Sequence, residues 1–241
     1  MWQKTVYVDK KYRPYVKNLS AAFEETENLT VAESETKSGT RFSLAASDES
    51  GNAVKRKVDD EICNFLLESV KFDFLTEKSG CLASTPSEAA VVAAMLYFDV
   101  SGEPPAVKSV IENLDTVSVD GVFNFALGTL KNNWEEIVSL SKNILSVSAD
   151  PSDLLSVAGF ISASGEEGGA SLLVYDIGSK NYIKNLTLKS DVKVPMLYED
   201  EELNLVTAVV KQHPNRIILE SNNLSAAAKS ALKSLAATKK A

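Results

Sequence analysis

Val54-Lys55-Arg56-Lys57-Val58-Asp59-Asp60-Glu61-Ile62-Cys63-Asn64-Phe65-Leu66-Leu67-Glu68-Ser69-Val70 is the stretch that decides the fold class. Val54, Val58, Ile62, Phe65, Leu66 and Val70 keep an i, i+4, i+8 stripe between charged residues, so the segment is an amphipathic helix, ending near Gly80. Thr85-Pro86-Ser87-Glu88 then has the form of a capping box. The Thr85 hydroxyl can accept from the Glu88 N–H, Glu88 can accept from the Thr85 N–H, and Pro86 suits the first helical position. It opens Ala89 to Phe98, which is apolar on nearly every side and therefore expected to be buried. Pro104-Pro105 starts a short helix through Val107, Ile111 and Leu114. The longest helix is expected to follow Asp120, through Phe123, Leu127, Leu130, Trp134, Ile137, Ser141 and Ile144. Asp150-Pro151-Ser152-Asp153 reads as a further N-cap, opening Leu154 to Ile161.

Outside this helical middle the period changes to two. Val6 and Val8 alternate with polar residues in a strand over Lys4 to Val8. Pro14 leads a helix through Tyr15, Leu19, Ala22 and Phe23. Asn28 to Ser34 and Thr40 to Ala46 flank Ser38-Gly39 as a hairpin. Toward the other end, Leu172 to Ile177 and Tyr182 to Leu188 form a hairpin around a four-residue turn, Gly178-Ser179-Lys180-Asn181. The acidic run Glu199 to Glu202 opens a helix through Leu203, Val206, Val209 and Val210. His213-Pro214-Asn215 ends it, and Arg216 to Glu220 is a last strand. The fold class is thus α+β: a central helical bundle flanked by an N-terminal βαββ segment and a C-terminal ββαβ segment. The segments are residues 1–50, 51–163, 164–220 and a Lys/Ala/Ser-rich tail, 221–241, expected to be frayed or loosely docked.

Composition bounds the function. The chain has 241 residues, 44% of them hydrophobic, enough to bury a core without a metal or disulfide staple. Against 33 acidic side chains stand 25 basic ones, and a net charge of −8 argues against broad phosphate binding. The N-terminus has no apolar signal-peptide region, and Ala89 to Phe98 is well short of the ~20 residues that span a bilayer. Cys63 and Cys81 have no CxxC spacing. Together with the single histidine, His213, they fall short of a four-ligand zinc site. The expected compartment is a reducing cytoplasm with two free thiols, where the sequons at Asn18, Asn28, Asn185 and Asn223 are chance occurrences.

Three stretches together resemble one bacterial family. They are Val58-Asp59-Asp60-Glu61-Ile62 with Phe65-Leu66 and Phe72-Asp73-Phe74; Val119-Asp120-Gly121-Val122-Phe123-Asn124-Phe125; and Tyr198-Glu199-Asp200-Glu201-Glu202-Leu203 leading to His213-Pro214-Asn215-Arg216-Ile217-Ile218-Leu219. Over residues 54–220 the chain is similar to the YtxC-type sporulation proteins of endospore-forming bacteria. Members of that family enter a long helix through a Gly-Phe-x-x-Phe-Arg pattern. They also carry a Tyr-Glu-Asp helix and a strand ending in histidine. Here Asn124-Phe125-Ala126 and Glu220 stand where the family has aromatic, basic and histidine residues, so roles attached to those side chains do not carry over. The resemblance implies a sporulation context and no mechanism.

The chemistry-bearing residues all have plain structural roles open to them. His213 precedes Pro214 at a helix C-terminus, where a cation meets the negative end of the dipole. Cys63 lies on the apolar stripe, and Cys81 in a loop. Asp59-Asp60-Glu61 and Glu199 to Glu202 lack the alternating oxygen positions of a calcium loop and read as solvated faces or helix N-termini. Ser164-Gly165-Glu166-Glu167-Gly168-Gly169 follows a helix and precedes a strand, the reverse of a phosphate loop. Tyr12 and Tyr15 with Lys10, Lys11 and Arg13 form a basic–aromatic cluster, read as a helix start with snorkelling lysines. No catalytic, cofactor-binding or metal residue, and no cofactor, is assigned. The leading expectation is an intracellular, non-catalytic interaction or regulatory protein with a protein partner. The alternative is an enzyme whose site gathers dispersed residues such as Glu68, Asp120, Lys131 and His213. A third is weak nucleic-acid binding by the basic cluster or the lysine tail.

Overall fold

The computed structural model describes residues 1–81, 83–98, 100–147, 153–156, 158–159 and 169–237. In chain order the helices are α1 (Val16–Glu24), α2 (Gly51–Phe65), α3 (Lys71–Ser79), α4 (Pro86–Leu96), α5 (Glu103–Ile111), the single turn α6 (Val119–Gly121), α7 (Gly128–Val147), α8 (Glu201–Lys211) and α9 (Ala226–Ala237). The strands are β1 (Trp2–Asp9), β2 (Thr30–Glu35), β3 (Gly39–Ala46), β4 (Thr116–Ser118), β5 (Ala170–Ile177), β6 (Lys180–Asn185), β7 (Ser190–Asp191) and β8 (Pro214–Leu219). The architecture is α+β. The strands make two separate sheets, ordered β2-β3-β1-β4 and β7-β6-β5-β8; β4 comes from the stretch expected to be wholly helical, where Val117 pairs back onto Val6. The chain divides into two compact units: Met1–Asp73 with Val100–Asn133, and Phe74–Asp99 with Trp134–Ala241. No described helix is long and apolar enough to cross a membrane.

In the first unit β1 pairs antiparallel with β3 and parallel with β4, so that Val6 stands opposite both Phe42 and Val117. The period of two buries Lys4, Val6, Val8, Phe42, Leu44 and Val117 on one face. Phe23 of α1 meets Phe42 edge-on at 5.3 Å. A wide π turn, Leu66–Val70, links α2 to α3. One inserted residue rotates the following helix by roughly 100°. Lys71, the next residue, is buried, 0% exposed.

That lysine belongs to a pattern of buried charge around α5. The Lys71 ammonium donates to both carboxylate oxygens of Glu103, the first residue of α5, at 2.7 and 2.9 Å. Burial holds Lys71 below the ordinary lysine value even with that carboxylate beside it. At the other end of α5, Lys4 of β1 donates to the Ile111 carbonyl at 3.0 Å and to Asp59 of α2. A carboxylate therefore sits at the positive end of α5 and an ammonium at its negative end. Asp59 corrects the solvated reading of its run: it is buried and paired, while Asp60 binds Lys108 and Glu61 binds Lys57.

In the second unit the α4 capping box forms as expected. The Glu88 N–H donates to Thr85 Oγ1 at 3.3 Å, and the Thr85 N–H to Glu88 Oε2 at 3.0 Å. Ala89 to Leu96 are all buried. Asp200 caps α8, accepting from the Glu202 N–H at 2.7 Å, which places the acidic run at a helix N-terminus. The β5–β6 turn is shorter than expected: Ile177 pairs with Lys180, leaving Gly178-Ser179 as a two-residue turn. Gly178, at φ 64°, supplies the positive φ that a type II′ turn needs at its first position.

Two further expectations change. The long helix does not run on from Asp120. Residues Val122–Ala126 form a second π turn, closed by a 3.2 Å bond from the Leu127 N–H to the Val122 carbonyl, and Leu127 leaves helical geometry before α7 begins. Nor are residues 221–237 a loose tail. Leu224, Ala228, Ala231, Leu232 and Leu235 are buried, and α9 packs on α4, α8 and β8. Glu202 holds its start, accepting from the Ser225 N–H at 2.6 Å and Oγ at 2.5 Å. An apolar stripe at helical spacing outweighed the fraying expected of a lysine-rich terminus. The proposed cap at Asp150-Pro151-Ser152 lies outside the described residues; residues 153–156 and 158–159 are helical.

The Lys71–Glu103 pair gives a direct test. Lys71→Met alone strands a buried carboxylate, and Glu103→Gln strands a buried ammonium, so each is expected to cost about 3–5 kcal/mol in urea unfolding. The double change Lys71→Met with Glu103→Leu is expected to recover most of that loss.

Candidate functional site

β1 and β4 run parallel, and their carboxyl ends open into a hollow of about 280 Å³. Tyr7, Val8 and Asp9 come from β1, Ser118 and Asp120 from the end of β4 and α6, and Thr36, Ser38, Gly39 and Thr40 from the hairpin. Backbone bonds hold the walls: the Lys10 N–H donates to the Ser38 carbonyl at 2.9 Å, and the Thr36 N–H to the Gly39 carbonyl at 2.7 Å. Asp9 accepts from the Lys11 N–H at 3.2 Å and so caps the 3₁₀ turn Lys10–Tyr15. Gly39 is required by close approach, since a Cβ there would lie 2.0 Å from the Val8 carbonyl oxygen.

Asp120 is the hub beside this hollow. Lys11 pairs with its Oδ1 at 2.5 Å, and the Asn124 amide donates to its Oδ2 at 2.9 Å. Burial opposes the Lys11 charge, yet the Asp120 and Tyr12 side chains hold that ammonium above the ordinary lysine value. Lys131 reaches Asn124 Oδ1 at 3.5 Å and lies 4.7 Å from the Phe123 ring centre, with Lys11 5.9 Å from the same ring. Two residues on, Phe125 is 90% exposed.

Of the dispersed set considered from the sequence, Asp120 and Lys131 meet through Asn124. Glu68 lies on the π turn Leu66–Val70 and does not line the hollow, and His213 belongs to the other unit. His213 ends α8 through its backbone: its N–H donates to the Val210 carbonyl at 3.0 Å, and it takes φ 45° where glycine is the usual residue. A Cβ on Gly169 would come within 2.5 Å of the His213 carbonyl oxygen, so the last glycine of the Gly165–Gly169 run serves packing; residues 164–168 lie outside the described residues. Tyr12 and Tyr15 are buried, Tyr15 against Phe72 at 6.2 Å, which leaves no ring face for a base to stack on. Among the described residues no group of three or more His, Cys, Asp or Glu is placed to hold a metal ion. Sequence reasoning noted Asn124 and Phe125 only as departures from the family pattern and gave them no role. The signal for Phe125 was its absence from the apolar stripe on either side.

Cys63 is a buried thiol whose Sγ lies 3.8 Å from the Pro104 carbonyl oxygen. Burial pushes it from 9.0 up to about 11, and burial raises Cys81 as well.

Two outcomes are expected. Gly39→Ala should cost about 3 kcal/mol or more in urea unfolding, because the strand backbone cannot retreat without losing its ladder. For Cys63, the unfolded thiol ionises from pH 9 while the folded thiol holds its proton until about 11. Stability from this group is present below pH 9 and falls as pH rises through that window, so Cys63→Ala should flatten that part of a pH–stability curve. No protein-family model matches the chain, and no curated protein or solved structure matches it either.

Proposed function

We propose that this chain is an intracellular, non-catalytic interaction or regulatory protein acting in the sporulation context that the YtxC-type resemblance implies. The observation that carries this reading is Phe125, an aromatic side chain 90% exposed and presented on a π turn. Its neighbours are held in place by the Lys11–Asp120–Asn124–Lys131 network. Aromatic side chains are enriched at protein–protein interfaces relative to the rest of a protein surface, and an exposed one beside fixed polar groups supports this reading. The buried ion pairs point the same way, because Lys4, Asp59, Lys71 and Glu103 are engaged in holding the core. A second reading, an enzyme with a site assembled from dispersed residues, draws support from the Asp120 hollow and the nearness of Lys131.

Affinity capture with the full chain from lysate of the producing cells tests the first reading. One protein is expected to return reproducibly with wild type and to fall at least about tenfold with Phe125→Asp, which leaves the fold intact because the side chain touches little. Repeated recovery of nothing above background counts against it.

A further inference from the structure

β5 reads Ala170-Ser171-Leu172-Leu173-Val174-Tyr175-Asp176-Ile177, an almost unbroken apolar run. Strands of that kind are normally covered on both faces, whereas a strand with one wet face alternates. The first sheet alternates, with Gln3, Thr5, Arg41, Ser43 and the 37% exposed Tyr7 on the face opposite Val6 and Phe42. In the second sheet β6 alternates and β5 does not. Leu172, Val174 and Ile183 are buried on one face. On the other, Leu173 stands opposite both Lys184 and Ile218, Tyr175 opposite Tyr182, and Ile177 opposite Lys180. The two tyrosine rings stack at 5.7 Å, yet Tyr182 remains 40% and Ile177 63% exposed.

Charge on this face is reversed relative to the chain. Lys180, Lys184 and Arg216 are exposed on it, and among the described residues none of the three is in an ion pair. The carboxylates there are Asp191, opposite Lys184, and Glu220, just beyond β8. A chain of net charge −8 thus places three cations against two anions around one apolar strip.

We propose that this face of the β5–β8 sheet docks an acidic amphipathic helix of a protein partner, an inference that rests on the interaction reading above and names its partner class. On this face Leu173, Tyr175 and Ile218 are half-buried and Tyr182 and Ile177 exposed, and a sheet buries such apolar side chains against a further layer, of which helix is one. The helix lays an i, i+3, i+4, i+7 apolar stripe over Leu173, Tyr175, Tyr182 and Ile218. Its flanking carboxylates meet Lys180, Lys184 and Arg216.

The test uses the full chain and three labelled probes in fluorescence anisotropy at low salt: a helical peptide of about 20 residues with a leucine stripe and glutamates elsewhere, the same peptide with lysines for glutamates, and an oligo-dT of similar length. The glutamate peptide is expected to bind. Tyr182→Glu and Lys184→Glu, both surface changes checked by unaltered circular dichroism and Tm, should each weaken it at least about tenfold. Failure of the glutamate peptide to bind overturns the proposal, as does equal or tighter binding of either other probe. Binding that neither variant changes, or self-association through this face in sedimentation, also overturns it. Should the glutamate peptide fail to bind while capture from lysate still returns a partner whose recovery Phe125→Asp abolishes, this surface fails while the interaction reading stands.

Discussion

Burying a charge obliges the chain to bury its partner, and the first unit is arranged around that obligation. Lys4 comes from a central strand, Asp59 from α2, Lys71 from α3 and Glu103 from α5. These residues are far apart in sequence and must arrive together, because a lone ammonium or carboxylate in such a place costs several kcal/mol. The pairs add little net stability over an apolar core of the same shape. They hold α5 at both ends, with Glu103 at its positive end and the Lys4 ammonium on its last carbonyl. The π turn Leu66–Val70 belongs to the same arrangement, since it shifts the phase of the helix just before Lys71.

With those groups committed to the core, the polar chemistry left near the surface is limited and local. Asp120 gathers Lys11, Asn124 and, through the amide, Lys131 at the lip of a hollow lined by hydroxyls. Among the apolar side chains in water are Phe125 and Tyr7 in the first unit, and Leu188, Met196, Ile177 and Tyr182 in the second. The two sheets share a plan, each with a parallel pair beside an antiparallel ladder. They differ in their outward faces: β5 adds Leu173, Tyr175 and Ile177 between the cations of the second, where the first has mainly polar side chains around Tyr7.

Much of the architecture was legible because it is local. The stripe from Val54 to Val70, the Thr85–Glu88 box, the Ser38-Gly39 hairpin and the Asp200 cap each depend on residues a few positions apart. Lys4 also left a sign, sharing the parity of Val6 and Val8 on a strand where that parity faces inward. The sign could not be read without Asp59, which lies 55 positions away. The π turns were hidden because one extra residue per turn barely disturbs a hydrophobic pattern. The firm docking of α9 was underrated: its lysines suggested a frayed or loosely docked tail, while its buried alanines and leucines pack on α4, α8 and β8.

The sequence by itself therefore determined the α+β class and the order of the longer helices and strands, but not β4, β7 or the two π turns, since caps, turns and periodicity act over one or two turns of chain. Tertiary structure decided that the β segments form two sheets and which acids meet which lysines. It also decided that Asp120, rather than His213 or a cysteine, stands at a hollow. Those outcomes depend on contacts between residues tens of positions apart, and the free energy of a buried charge or an uncovered apolar face is set by whatever the fold brings against it.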